Sequence, residues 1–188
     1  MSSLHIIDLA GACSGEPVAR KNAAQLLDRA CRTHGFFYVT GHGVSPELRQ
    51  EVFAQSKAFF YLPLDIKSRW HIDLSGISRG YDPVGWQSLE VGKPADLKES
   101  FYLGVDRGPD DPLVMAGVPN QGPNQWPDER LVPGFRASTN AYARVMAGLG
   151  RQVLSLLAES LNLSFDYFDA FLNDPMPVLR LLHYPPSD

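Results

Sequence analysis

The sequence predicts an α+β chain in which helices flank a long irregular middle, and three observations carry that reading. Apolar residues recur at steps of three and four near the N-terminus and again between Phe135 and Leu161. Short aromatic or β-branched runs, bounded by Gly or Pro, stand at 36–40, 98–103 and 178–184. The 16 Gly and 15 Pro, about a sixth of the chain, gather mainly between Gly76 and Pro133. Long ordered loops of this kind in compact domains are often functional.

With 188 residues and 44% hydrophobic side chains, the chain can bury one core, and residues 1–188 read as a single domain. Charged residues at 20% and aromatics at 11% are those of a folded chain, not a disordered one. A net charge of -4, with no Lys/Arg run, argues against a nucleic-acid module. No apolar stretch approaches the ~20 residues of a membrane span, and Met1-Ser2-Ser3-Leu4-His5 lacks the basic start and apolar run of a signal peptide. Two cysteines, Cys13 and Cys31, make no disulfide framework, so a cytoplasmic protein with reduced thiols is expected.

The elements follow in order. Leu4–Leu9 is a short apolar edge strand. Over Val18–His34, residues Ala23, Leu26, Leu27, Ala30, Cys31 and His34 form one buried helical stripe, and Gly35 provides the left-handed stop. Phe36–Thr40 reads as a buried strand, and Gly41-His42-Gly43 turns the chain. Ser45-Pro46-Glu47 opens a second helix, with a capping residue, a first-turn proline and an acid at the positive dipole end. It runs to about Phe60, with Leu48, Val52, Ser56 and Phe59 facing inward. Leu64–Trp70 is a shorter helix, and Lys98–Leu103 a strand. The long helix presents Phe135, Tyr142, Val145, Met146, Leu149, Val153, Leu156, Leu157 and Leu161, and a short helix spans Phe165–Leu172. Val178–Tyr184 is a strand, stopped by Pro185-Pro186.

Few residues carry chemistry by pattern alone. The one His-x-Asp, His71-Ile72-Asp73, ends a short helix ahead of a Gly/Ser-rich loop, and the next histidine is the remote His183. A facial site of two His and one carboxylate is therefore not formed by pattern, and a solvated loop is the reading for His71 and Asp73. Cys13 sits in a loop, and Cys31 on an apolar helix face reads as a buried inert thiol. In the last strand, alternation puts Arg180, Leu182 and Tyr184 on one face and Leu179, Leu181 and His183 on the other. A buried guanidinium and phenol would need partners, and the planar fork of Arg180 suits a carboxylate. On an edge strand, both side chains would instead reach solvent. Trp126-Pro127 reads as a lid over a hydrophobic seam. Gly80-Tyr81 and Glu99 stand near a possible pocket, although an exposed acid is the plain expectation for Glu99.

Five segments then fall in one family's order: "THGFFYVTGHGV", "AFFYLPLDIKSRW", "RGYDPVGWQSLEVGKPADLKESFYLG", "GPNQWPDERLVPGFR" and "LRLLHYPPSD". From about His5 to Pro186 the chain resembles the isopenicillin N synthase-like iron(II)/2-oxoglutarate-dependent dioxygenases. The resemblance implies the helical N-terminal region of such an enzyme, carrying only the first strands of its double-stranded β-helix, or jelly roll. In the family, iron(II) and 2-oxoglutarate react with oxygen to give succinate, carbon dioxide and a ferryl oxidant that attacks a small organic substrate. The family's His-x-Asp, distant His and Arg-x-Ser follow the segment that "LRLLHYPP" matches. None stands here, so the chain alone is expected to bind neither iron nor 2-oxoglutarate and to be inactive.

By the same resemblance, Arg180 and Tyr184 match strand positions that point polar groups toward substrate or cosubstrate. The region of Tyr81 and Glu99 matches the variable substrate-facing wall. Leu182 stands where plant members place Asn, which removes one polar contact of a plant-like cosubstrate arrangement. The partner implied is a small-molecule substrate, with no nucleic acid and no membrane. The rival expectation is a non-catalytic interaction module that self-associates through the edge of strand 178–184.

Overall fold

The computed structural model describes residues 4–87 and 95–186. They fall into two compact units, one made of Met1–Pro46 and Arg144–Pro175, the other of Glu47–Ala143 and Met176–Asp188. Each unit has its own buried cluster.

In the first unit, β1 (Ile6–Asp8) pairs in parallel with β2 (Tyr38–Thr40), placing Ile7 beside Val39. Between them lie α1 (Ala10–Cys13) and α2 (Pro17–Thr33). Helix α2 starts where the chemistry of its first turn requires: Pro17 needs no amide partner, and the Glu16 side chain accepts from the Ala19 N–H at 3.1 Å. Its buried stripe is Ala23, Ala24, Leu27 and Ala30, which pack with Ile7, Leu9, Ala12 and Leu156. Leu26 and Cys31 lie outside it, because small alanines let the helix approach its neighbours along a narrow seam. The inert buried thiol expected at Cys31 is thus an exposed one.

The strand expected over Phe36–Thr40 is shorter and is not buried. Phe36 and Tyr38 are 59% and 61% exposed, since a two-stranded pair covers one face only and period-two alternation turns Tyr38 away from the side where Val39 packs. The long helix α6 (Phe135–Ser160) contributes Leu149, Val153, Leu156 and Leu157 to this unit's core. Val145 and Met146, expected on its inner face, are partly exposed. Beyond it, the expected short helix is a 3-10 turn at Asp169–Leu172.

The second unit holds α3 (Pro46–Phe60), α4 (Leu64–Lys67) running into a 3-10 turn at Ser68–Trp70, and α5 (Pro112–Met115). Its sheet is antiparallel in the order β3 (Gly80–Asp82), β4 (Glu99–Leu103), β5 (Leu179–His183). Strand β3 has no counterpart in the sequence reading, because three residues in a Gly/Ser-rich stretch carry no periodic signal. The described residues give five strands in two sheets, where a jelly roll has about eight.

Phe59, fully buried, centres this core. Its ring lies 4.7 Å from Phe101, 5.5 Å from Phe135 and 5.9 Å from Tyr81, centroid to centroid. These are edge-on or tilted arrangements that suit the aromatic quadrupole. Trp126 is partly buried against the same cluster, its indole N–H donating to Asp106 at 2.9 Å with the Arg136 guanidinium over its ring.

Gly80 is required at the start of β3. Its φ is +107°, and an added Cβ would come within 2.3 Å of the Trp70 carbonyl oxygen and 2.5 Å of Gln125 Nε2. That same Gln125 nitrogen donates to the carbonyls of His71 and Arg79 at 2.9 and 2.8 Å, fixing the chain as it enters the strand.

Among the described residues, no helix is long and apolar enough to cross a membrane. Phe59→Ala leaves a cavity at the centre of the aromatic cluster and is expected to cost about 3–5 kcal/mol, read as a lowered midpoint in chemical denaturation.

Candidate functional site

The register of the three-stranded sheet sorts its side chains onto two faces. Tyr81 lies opposite Phe101 and Asp82 opposite Ser100, while Arg180, Leu181, Leu182 and His183 lie opposite Tyr102, Phe101, Ser100 and Glu99. Alternation then gives one face Tyr81, Glu99, Phe101, Leu181 and His183, and the other Asp82, Ser100, Tyr102, Arg180 and Leu182.

The first face holds a buried charge. Glu99 is 3% exposed, not the exposed acid expected, because three elements bring it donors. Lys67 Nζ donates to its Oε2 at 2.6 Å, and the Tyr81 hydroxyl donates to the same oxygen. His183 Nδ1 lies 2.8 Å from Oε1. Lys67, itself buried, also donates to the Phe60 carbonyl at 2.9 Å. The His183 ring stacks on Phe60 at 5.4 Å. Burial alone would push the Glu99 carboxyl up, but the hydrogen bonds from Lys67, Tyr81 and His183 outweigh it and hold the group below its ordinary value. Burial and the bond to Glu99 push the Tyr81 phenol well up, so it remains a donor.

The second face is polar and only partly satisfied. Asp82 is 2% exposed. Its Oδ2 accepts from Ser100 Oγ at 3.2 Å and lies 4.0 Å from Arg180 Nη2. That Arg180 nitrogen donates to Ser100 Oγ at 3.0 Å and to Gln87 Oε1 at 2.8 Å. Gln87 Nε2 in turn donates to the Tyr102 hydroxyl at 2.9 Å, and the guanidinium lies over the Tyr102 ring. Asp82 Oδ1 and Arg180 Nε are buried without a hydrogen-bond partner. Burial pushes the Asp82 carboxyl up, against the smaller effects of Ser100 and the Arg180 charge.

The four residues expected to share a site are therefore divided. Tyr81 and Glu99 belong to the buried cluster on the core face, where they hold structure. Arg180 belongs to the polar face and is anchored there, not free in solvent. Tyr184, on the same side by alternation but just beyond β5, is 66% exposed. Sequence reasoning misses Asp82, Ser100, Gln87 and Lys67. The signal for Ser100 is present in the strand pattern of 98–103, where it directly follows Glu99, whereas Asp82 lies in a strand that carries no period. His71 and Asp73 form a local turn, the His71 ring accepting from the Asp73 N–H at 3.3 Å and standing edge-on to Trp86. Cys13 donates its thiol to Gln152 at 3.0 Å, and burial pushes its pKa up.

This arrangement of helices ahead of an antiparallel sheet has known relatives. Residues 4–129 match the family described as non-haem dioxygenase in morphine synthesis, N-terminal. The chain belongs to the iron(II)/2-oxoglutarate-dependent dioxygenases, in the isopenicillin N synthase-like group.

Within this dioxygenase family, it is 45% identical over 161 residues to the 2-oxoglutarate-dependent dioxygenase citB of Monascus ruber, covering 84% of this chain and 48% of that protein. It is 35% identical over 183 residues to the 2-oxoglutarate-Fe(II) type oxidoreductase hxnY of Emericella nidulans, covering 96% and 52%. Among solved structures, a full-length Neurospora crassa protein in complex with alpha-KG superposes with a TM-score of 0.81 at 28% identity, over 97% of this chain and 54% of that one. The rice dioxygenase for auxin oxidation gives 0.65 at 28% identity, over 97% and 52%. The chain spans about half the length of the curated relatives it matches.

The family depends on iron(II) and 2-oxoglutarate. Among the described residues, no group of three or more His, Cys, Asp and Glu side chains could hold a metal ion.

Lys67→Met leaves the Glu99 carboxylate buried against a lost cation and is expected to cost about 3–5 kcal/mol, measured by urea denaturation at neutral pH. Because the folded Glu99 titrates below its ordinary 4.5, its contribution is complete above that pH and is lost as pH falls through the lower, folded value. The loss caused by Lys67→Met should accordingly shrink in acid.

Proposed function

We propose that this chain supplies the scaffold and one substrate-facing wall of an iron(II)/2-oxoglutarate-dependent oxygenase that oxidises a small organic substrate in the cytoplasm. Both units act as parts of one N-terminal dioxygenase domain. The observation that carries the reading is the polar sheet face, on which a guanidinium, a buried carboxylate and a hydroxyl stand together. The resemblance supports it, since Arg180 matches a strand position at which the family often points a polar group toward substrate or cosubstrate. The relatives' 2-oxoglutarate dependence and the alpha-KG held in the Neurospora crassa structure support 2-oxoglutarate as the cosubstrate of the whole enzyme.

On this reading the chain's own residues bind and orient. Arg180 offers donors to an acceptor group, Ser100 and Asp82 fix the guanidinium in place, and the Tyr184 hydroxyl extends the same side of the strand. Tyr81 and Glu99 take no part in contact with substrate. They hold β3, β4 and β5 in register from the opposite face.

A second reading, a non-catalytic module, is favoured by one observation. Among the described residues, strand β5 stands at the end of the order β3-β4-β5, and Val178, Leu182 and Tyr184 are 55%, 44% and 66% exposed. Such an edge can pair with another chain.

With iron(II) and 2-oxoglutarate added, the 188-residue chain is expected to form succinate at the rate of a protein-free control. A tight stoichiometric iron site with turnover would overturn the assignment of this chain to the wall alone. Light scattering across a concentration series separates the two readings: a monomer at all concentrations supports the enzyme part, and ordered self-association supports the module.

A further inference from the structure

The polar face already holds a carboxamide. Gln87 presents its Oε1 to Arg180 Nη2 at 2.8 Å and its Nε2 to the Tyr102 hydroxyl at 2.9 Å, so one planar group both accepts from the guanidinium and donates to the phenol. Gln87 is partly exposed and lies on irregular chain beyond β3, whereas the groups it touches are fixed in the sheet. The same Arg180 Nη2 also donates to Ser100 Oγ at 3.0 Å, and the Arg180 Nε is buried without a partner. Next to it, Asp82 is buried with Oδ1 equally unpartnered. Groups this dry with bonds unmade carry a desolvation penalty that a fitting ligand relieves.

Resting on the substrate-wall reading, we propose that Arg180, Tyr102 and Asp82 form a subsite for a neutral substrate group carrying a carbonyl acceptor beside an N–H or O–H donor. The Gln87 carboxamide is its internal stand-in. The carbonyl takes the place of Gln87 Oε1 on Arg180, and the donor takes that of Nε2 on Tyr102, with Asp82 as a further acceptor. The Asp82 charge sets the selectivity. A free carboxylate would satisfy Arg180 but would be brought up against a buried carboxylate, whereas an amide or a hydroxy-carbonyl group meets no like charge. The subsite therefore ranks amide-like groups above carboxylates of the same shape.

The test uses two probes of one shape, benzamide and benzoate, titrated by calorimetry into the 188-residue chain at neutral pH. Wild type is expected to bind benzamide more tightly than benzoate. Gln87→Ala, which removes the internal competitor, is expected to raise benzamide affinity about tenfold, the worth of one hydrogen-bonded group, with no comparable gain for benzoate. Adding Arg180→Lys, which keeps the charge but not the planar fork, should abolish that gain.

A benzoate gain equal to or larger than the benzamide gain would overturn the proposal, as would unchanged benzamide affinity in Gln87→Ala. In wild type, independently of any variant's folding, benzamide should shift the side-chain amide resonances of Gln87, and their failure to move would also overturn it. These are binding readouts, so succinate formation by the chain bears on the oxygenase reading alone, and the ranking of the two probes bears on the subsite alone.

Discussion

A single buried carboxylate organises the second unit. Glu99 on the central strand draws Lys67 from α4, Tyr81 from β3 and His183 from β5 onto its two oxygens. An ionised side chain this dry is tolerable only when its lone pairs are filled by donors, so the three elements are held together by the requirement to fill them. A slip of either outer strand by one residue would carry Tyr81 or His183 to the other face and leave the charge uncompensated. The aromatic cluster around Phe59 takes in Tyr81, Phe101 and Leu181 from the same face of the sheet.

The polar face follows from that registration. Once Tyr81, Glu99 and His183 share the core side, period two forces Asp82, Ser100, Arg180 and Leu182 onto the other. The two carboxylates, one strand apart and on opposite faces, are treated in opposite ways. Glu99 is surrounded by donors and held below its ordinary value, while Asp82 keeps one oxygen unpartnered and burial pushes its carboxyl above its ordinary value. The first arrangement is what a structural anchor requires.

Much of this is legible in the sequence, and the losses have definite causes. Helices α2, α3 and α6 are marked by three-and-four spacing, and β4 and β5 by aromatic and aliphatic runs with Pro or Gly at their borders. The alternation of β5 places Arg180 and His183 on opposite faces correctly. Strand β3 is hidden because three residues carry no period, and with it goes the pairing that buries Tyr81 and Asp82. Glu99 is expected in solvent because a lone acid in a strand pattern gives no sign of the Lys67 that meets it from 32 positions away. The partners of Arg180 are invisible for the same reason: Gln87 and Ser100 are 93 and 80 residues distant. The dioxygenase family is readable from five ordered segments, whereas the division of Tyr81 and Glu99 from Arg180 needs the strand register.

The most direct test is a carbon-detected NMR titration of the two carboxyl groups. If Glu99 anchors the sheet and Asp82 faces an unfilled subsite, Glu99 titrates below 4.5 and Asp82 above 3.8. A Glu99 that titrates at or above its ordinary value, together with an Asp82 at or below its own, would contradict the account at its foundation.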